Sequence, residues 1–329
     1  LILTRRVALA TGVACAGLAA CGQADRPLYA ADAQAIDYPT TKAVEEMGRL
    51  LDERTGGRLR FKVFGGGQLG PERDTLEMTI FGGLDLNRIN TAPLNPIAPE
   101  TLVPALPFVF QSVPHMRAAM DGEVGRAILE SLEPHGLKGL CYYDSGARSF
   151  YNARRPIREP DDLRGLKIRV QNSDLYVSMV EAFGANATPM SFSEVYGAIA
   201  KRVVDGAENN WPSYYTTRHF EVAPYYTLTE HVMAPEVLVM SMRRWRKLSD
   251  EDQALVQQAA LDSVPFMRNL WDARVAEAKA AIAAAGNEVV TIEDKAPFRA
   301  QMEPVYERFV TPKLRPLVEA IQATEVPVA

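Results

Sequence analysis

Arg88 and Asn90 stand two residues apart in the run Leu84–Asn90, so a strand there puts both side chains on one face. An arginine inside an otherwise buried strand needs an anionic partner, either a protein carboxylate or a ligand. Arg169 closes a second strand pattern, Leu166–Val170, where its side chain can enter a cleft. A guanidinium suits carboxylate binding because its planar fork meets two oxygens at once. Catalytic patterns are missing: there is no GxSxG, HExxH, CxxC or EF-hand run. The glycines of Gly65-Gly66-Gly67 and Gly70 lack the Gly-Lys-Ser/Thr that would hold phosphates and Mg²⁺, so a glycine-rich turn is the reading. The four histidines (His115, His135, His219 and His231) do not pair at metal-ligand spacing, which argues against zinc. The residue types point to binding without chemistry, and no cofactor is expected.

The elements that must position these residues alternate between strand and helix. Thr40–Arg54 carries a helical apolar stripe and stops at Gly56-Gly57; Leu59–Phe64 follows as a strand. Glu72–Phe81 and Glu123–Pro134 read as helices, and Leu137–Tyr143 as a strand holding Cys141 as a buried residue. A second set comprises strand Leu166–Val170, helices Leu175–Phe183 and Phe192–Lys201, and strand Val203–Ala207. Helix Ser213–Phe220 and strands Tyr225–Thr229 and Val237–Ser241 complete it. Ser249-Asp250-Glu251-Asp252 is a helix-capping signature, and helical periodicity then runs to Gly286 with Pro265 as an expected kink. Glu288–Thr291 is a last strand before further helices from Lys295 to about Ala323. Alternation of this kind predicts α/β sheets covered on both faces, in two lobes around a cleft, with the late helix crossing between them. Ligands of open α/β sheets bind beyond the carboxyl ends of the strands.

The chain has 329 residues, of which 47% are hydrophobic and 23% charged, which excludes a disordered chain. Its formal net charge of −5 argues against a nucleic-acid partner. Residues 1–21 read as an export signal: Arg5-Arg6, an apolar stretch from Val7 to Ala20 that is short for a membrane span, then Leu18-Ala19-Ala20-Cys21. The last four resemble a lipobox, which makes Cys21 the expected lipidation site and a lipid anchor the expected membrane contact. Removing residues 1–20 takes away two positive charges, so the mature chain would carry −5 − 2 = −7. Cys15 and Cys21 lie in this leader, leaving Cys141 without an internal disulfide partner.

Several spaced segments resemble the DctP-type substrate-binding subunits of tripartite ATP-independent periplasmic (TRAP) transporters. They are Gly146–Asn152, Asp162–Asn172, Gly184–Tyr196 and Val204–Asn210, with Gln68–Arg73, Gly82–Asp85 and Leu106–Phe110 upstream. The likeness covers about residues 30 to 310. It implies a two-lobed periplasmic binding protein fold (type II-like) with hinge strands and a long interdomain helix. Residues 22–146 and 235–275 would form the N-terminal lobe, and 147–234 and 276–329 the C-terminal lobe. It also implies a periplasmic protein without enzymatic activity that delivers an organic acid to membrane permease subunits.

The resemblance assigns site roles residue by residue. Arg169 falls on the carboxylate-clamping arginine, Arg148 on a second arginine, and Asn209, in the turn after Val203–Ala207, on a carboxylate-orienting amide. Asn172 and Phe192 fall on pocket positions, although Phe192 also suits a core. Glu72 matches a position that accepts hydrogen bonds from ligand hydroxyls, Gln34 would end the first strand near the pocket, and His231 matches a polar contact. Asn210 adds a further donor and acceptor, and Glu236 can pair with a cation or with ligand. Trp211 and Tyr214 can stack on a sugar ring or pack in the core. The runs Ser213–Thr217, Tyr225–His231 and Pro235–Leu238 resemble the subgroup associated with sugar acids. A uronate such as glucuronate or galacturonate is therefore the expected ligand. A keto acid, a C4-dicarboxylate and a sensor role are the alternatives.

Overall fold

The computed structural model describes residues 26–326. The expected signal segment and the lipidation of Cys21 lie outside the described residues. Two sheets organise the chain. Strands β1 (Leu28–Asp32), β2 (Phe61–Phe64), β3 (Leu86–Asn90) and β4 (Leu137–Tyr143) belong to the first. Strands β5 (Arg148–Asn152), β6 (Lys167–Val170), β7 (Asn186–Pro189), β8 (Gly206–Asn209) and β9 (Tyr225–Val232) belong to the second. Strand β10 (Glu236–Ser241) returns to the first sheet, and β11 (Glu288–Thr291) to the second. The strand orders are β2-β1-β3-β10-β4 and β11-β9-β5-β8-β6-β7. Within the first sheet β1 runs parallel to β2 and β3, whereas β10 is antiparallel to β3 and β4.

The chain therefore crosses between sheets at β4–β5 and again at β9–β10. A third connection is the helix Asp250–Ala284, whose 35 residues extend about 52 Å at 1.5 Å per residue. Ser249 caps its start by accepting from the Asp252 amide at 3.1 Å. Val256, Ala259, Met267 and Trp271 of this helix enter the core of the first sheet, built with Leu86, Leu238 and Met240. Ala278 and Ile282 enter the core of the second sheet with Tyr151, Ala207 and Tyr226. Alternate strand residues such as Ile89 and Val237 face a further core, shared with Phe150 and Ile168 of the other sheet. The period-2 alternation thus sends each strand's two faces into separate apolar layers. Helix Asp250–Ala284 continues unbroken through Pro265. The carbonyl left without a donor there belongs to Leu261, whose residue is 48% exposed, so water can satisfy it.

Some boundaries differ from the sequence reading for local reasons. The strand expected at Val203–Ala207 begins only at Gly206. Arg202 takes a left-handed φ of 59° and the Val203 amide bonds back to Ala198, so these residues end the preceding helix. The helix expected at Ser213–Phe220 begins at Trp211, because the Asn210 side chain caps it and Pro212 fits its first turn. It stops at Thr216, and Arg218 turns left-handed at φ 59°. Strand β1 ends at Asp32, before Gln34, whose amide donates to Asp32 Oδ1 at 2.8 Å and turns the chain.

Candidate functional site

A cavity of about 750 Å³ lies between the two sheets and receives the carboxyl ends of β1, β3, β6 and β8. Its size is in the range for small-molecule sites. Ten of the residues singled out in the sequence line it: Gln34, Glu72, Arg88, Asn90, Arg148, Arg169, Asn172, Phe192, Asn209 and Glu236. Gly66 and Gly67 form part of the wall, both with left-handed φ (69° and 68°) that their missing side chains allow.

The second sheet contributes two arginines in different electrostatic states. Arg169 is 3% exposed, and its Nε and Nη2 both donate to the Met190 carbonyl, at 3.0 and 2.7 Å. Its guanidinium lies 6.0 Å from the Phe192 ring centroid. Among the described residues no carboxylate forms an ion pair with it, and burial lowers its pKa. Arg148 is instead consumed by the protein. Its Nε and Nη2 reach the two carboxylate oxygens of Glu208 at 2.5 and 2.7 Å, and Nη1 donates to Asn209 Oδ1 at 3.0 Å. The antiparallel β5–β8 ladder places these groups side by side. Burial pushes Glu208 up, but Arg148 outweighs it and holds the carboxyl below its usual range. Arg148 therefore has no free fork for a ligand carboxylate. It neutralises Glu208 and fixes the Asn209 amide with its oxygen turned to Arg148, so the amide nitrogen remains available as a donor.

The first sheet supplies the other end. The parallel register sets Asp32 of β1 beside Arg88 of β3, and the antiparallel register sets Glu236 of β10 beside Asn90. Arg88 pairs with Asp32 through Nη2, and through Nη1 with Glu72 at 3.0 Å and Glu236 at 2.7 Å. Glu72 Oε1 also accepts from the Asn90 amide at 3.2 Å. One cation thus faces three carboxylates, a formal balance of −2. Burial raises Glu72 to about 7, against the pull of Arg88 and with the push of Glu236. The partner that the lone strand arginine demanded is this carboxylate group of the protein itself.

Four residues expected at a ligand lie outside the cavity lining. Asn210 spends its side chain on the Ser213 amide at 2.8 Å. Tyr214 is fully buried and donates to the Ala223 carbonyl at 2.6 Å. Trp211 packs edge-on against Tyr226, with centroids 4.6 Å apart. His231 sits inside β9, stacked on Phe150 at 4.2 Å and 3.7 Å from Glu208, so it backs the Glu208–Arg148 pair from behind the cavity wall. Burial lowers its pKa, which keeps the ring neutral.

Other wall residues were not identified in the sequence. His219 lines the cavity, pairs with the Tyr151 hydroxyl at 2.8 Å, and is lowered to about 3 by burial and by nearby Arg169. Gln171 presents a buried Oε1 with no hydrogen-bond partner among the described residues. Asp32 and Glu208 stand behind the wall as counter-charges. A carboxylate at the end of β1 and one inside β8 were the available signals, because each interrupts a buried strand.

Among the described residues, no cluster of three or more His, Cys, Asp or Glu has metal-binding geometry, and no helix is long and apolar enough to cross a membrane. Two sheets joined by crossing segments around a charged cavity define a two-lobed solute-binding protein. The chain belongs to the DctP family, bacterial extracellular solute-binding protein family 7, whose profile matches residues 30–313. It is a TRAP-type transport protein of the extracytoplasmic space, not an enzyme, and proteins of this class work with membrane permeases.

A TRAP periplasmic solute-binding protein of Bradyrhizobium, crystallised with α/β-D-galacturonate, is 53% identical with a TM-score of 0.89, over 91% of this chain and 100% of that one. One from Roseobacter denitrificans with bound β-D-glucuronate is 44% identical with a TM-score of 0.89, over the same shares. A solute-binding protein of Chromohalobacter salexigens is 43% identical over 287 residues, 87% of this chain and 85% of the relative.

Proposed function

We propose that the protein captures a hexuronate, D-galacturonate or D-glucuronate, in the cavity between its lobes and passes it to a TRAP permease. The observation that carries this reading is Arg169, a buried cation with no ion-pair partner among the described residues, on the same cavity wall as the amide of Asn209. A ligand carboxylate completes both. The ring hydroxyls then meet the opposite wall, where Glu72 and Asn90 supply polar partners, while the open acceptor of Gln171, next to β6, adds one from the side of Arg169. Similar proteins crystallised with galacturonate and glucuronate support the same class of ligand.

The lobes of this reading are residues 22–146 with 235–275, and 147–234 with 276–329. They would close by bending at the β4–β5 and β9–β10 crossings while helix Asp250–Ala284 keeps both cores in register. Lipidation at Cys21 would hold the protein at the membrane. The test is a thermal-shift screen with hexuronates, aldonates, keto acids and C4-dicarboxylates, followed by calorimetric titration of the hits. A ligand that binds the native state raises the melting point. Stabilisation by a keto acid or dicarboxylate, with none by either hexuronate, would overturn the assignment.

A further inference from the structure

The carboxylate group on the first-sheet wall is unevenly compensated, and the geometry says which member yields. Asp32 has Arg88 Nη2 and the Thr40 hydroxyl, at 2.9 Å from its other oxygen. Glu236 receives Arg88 Nη1 on one oxygen and the Asn90 amide nitrogen, at 3.3 Å, on the other. Glu72 shares that same Nη1 and otherwise accepts only a backbone amide, both on Oε1, so its Oε2 has no protein partner among the described residues. Its side chain is 18% exposed, against 7% for Glu236 and none for Asp32, which makes it the member most open to the cavity.

The charged groups around it are Arg88 on β3, Glu236 on β10 and Asp32 on β1. Arg73 and Glu77 of its own helix reach the rim, and Arg169 stands on the opposite lobe. Three carboxylates on one guanidinium cannot all stay ionised once a further anion enters and water leaves.

We propose that Glu72 holds the ligand as a neutral carboxylic acid, donating its proton to a ligand oxygen, so that binding takes up one proton from solution at this residue. This rests on the hexuronate reading and deepens it: Glu72 becomes a hydrogen-bond donor, where the sequence reading made it an acceptor for hydroxyls. Burial raises Glu72 to about 7. Affinity is therefore flat below about pH 6 and falls by up to tenfold per pH unit above 7, because an increasing share of the free protein has to be protonated first. The cavity histidine does not contribute, since it is neutral throughout this range.

The experiment is calorimetric titration of the wild-type chain with D-galacturonate and D-glucuronate from pH 5.5 to 8.5. At pH 7.5 it is run in both phosphate and Tris, which differ in ionisation heat. The expected uptake at pH 7.5 is about three-quarters of a proton per ligand bound. In Glu72→Gln, which keeps a donor that does not titrate, uptake vanishes and affinity no longer changes across the range. Hexuronate binding without proton exchange in the wild type, or undiminished uptake in Glu72→Gln, overturns the inference and leaves the functional assignment standing. No hexuronate binding at any pH overturns both. If Glu72→Gln does not fold, the wild-type buffer pair still decides.

Discussion

Replacing Arg169 by methionine should separate binding from folding. The Arg169 guanidinium is buried, and among the described residues its hydrogen bonds go to a single carbonyl, that of Met190. The substitution removes an uncompensated buried charge and leaves that carbonyl short of a donor, at a cost of about 1–3 kcal/mol. Desolvating the arginine costs a similar or larger amount, so the two offset and ligand-free stability should change by no more than about 1 kcal/mol. The ligand carboxylate loses its counter-charge, and breaking a buried pair costs about 3–5 kcal/mol, or roughly 10²- to 10³·⁵-fold in affinity. At a hexuronate concentration 100 times the wild-type Kd, the wild type gains about 2.7 kcal/mol, whereas the variant gains less than about 0.4. Urea denaturation with and without ligand measures both quantities. A variant that keeps its ligand-induced stabilisation, or that loses about 3 kcal/mol without ligand, would show that Arg169 serves the fold.

Glu208→Gln leaves Arg148 buried without its counter-charge and should cost about 3–5 kcal/mol in urea denaturation. Because Glu208 is held below its unfolded value, its contribution is present above that value and lost as pH falls through the folded one, so the wild-type advantage should shrink under acid conditions. Gly146→Ala places a side chain at φ +57° with its Cβ 3.1 Å from the Trp271 ring, at the β4–β5 crossing. It should cost at least about 1–2 kcal/mol, and a neutral result would remove the argument that this crossing needs glycine. Succinate and malate should bind at least 100-fold more weakly than a hexuronate. A second carboxylate about 5 Å from one uncompensated negative charge costs about 3 kcal/mol at an effective dielectric of 20, and equal affinity in competition titrations would refute the charge assignment.

Elements with strong local signals were legible residue by residue. Helix Glu72–Phe81 and strands Leu137–Tyr143 and Glu288–Thr291 have the boundaries that the sequence predicts. The shared face of Arg88 and Asn90 follows from the strand period alone. The identity of their partners does not, because Asp32 and Glu236 arrive through strand register across 56 and 148 residues. For the same reason Arg148 looked available. Its carboxylate comes from Glu208, 60 residues on, and only the β5–β8 ladder brings the two together. Trp211 and Tyr214 show the opposite limit: an aromatic residue next to a pocket motif carries no sign of which way its ring points. Here Asn210 and Pro212 start a helix that turns Tyr214 into the core and packs the half-buried Trp211 against it.

Taken together, the two walls give the cavity a polarity that orients its occupant. Among the described residues, the second-sheet wall presents Arg169 without an ion-pair partner, because Glu208 has already cancelled Arg148. The first presents a negative excess, because Arg88 is outnumbered by Asp32, Glu72 and Glu236. An anion with its charge at one end lowers the energy only with that end toward Arg169, and the far end has to be neutral and able to hydrogen-bond. A cyclic monocarboxylate rich in hydroxyls meets both conditions, whereas a dicarboxylate meets the first and violates the second. On this reading, selectivity depends less on the arginine that any organic acid would satisfy than on the carboxylates that a second acid would encounter.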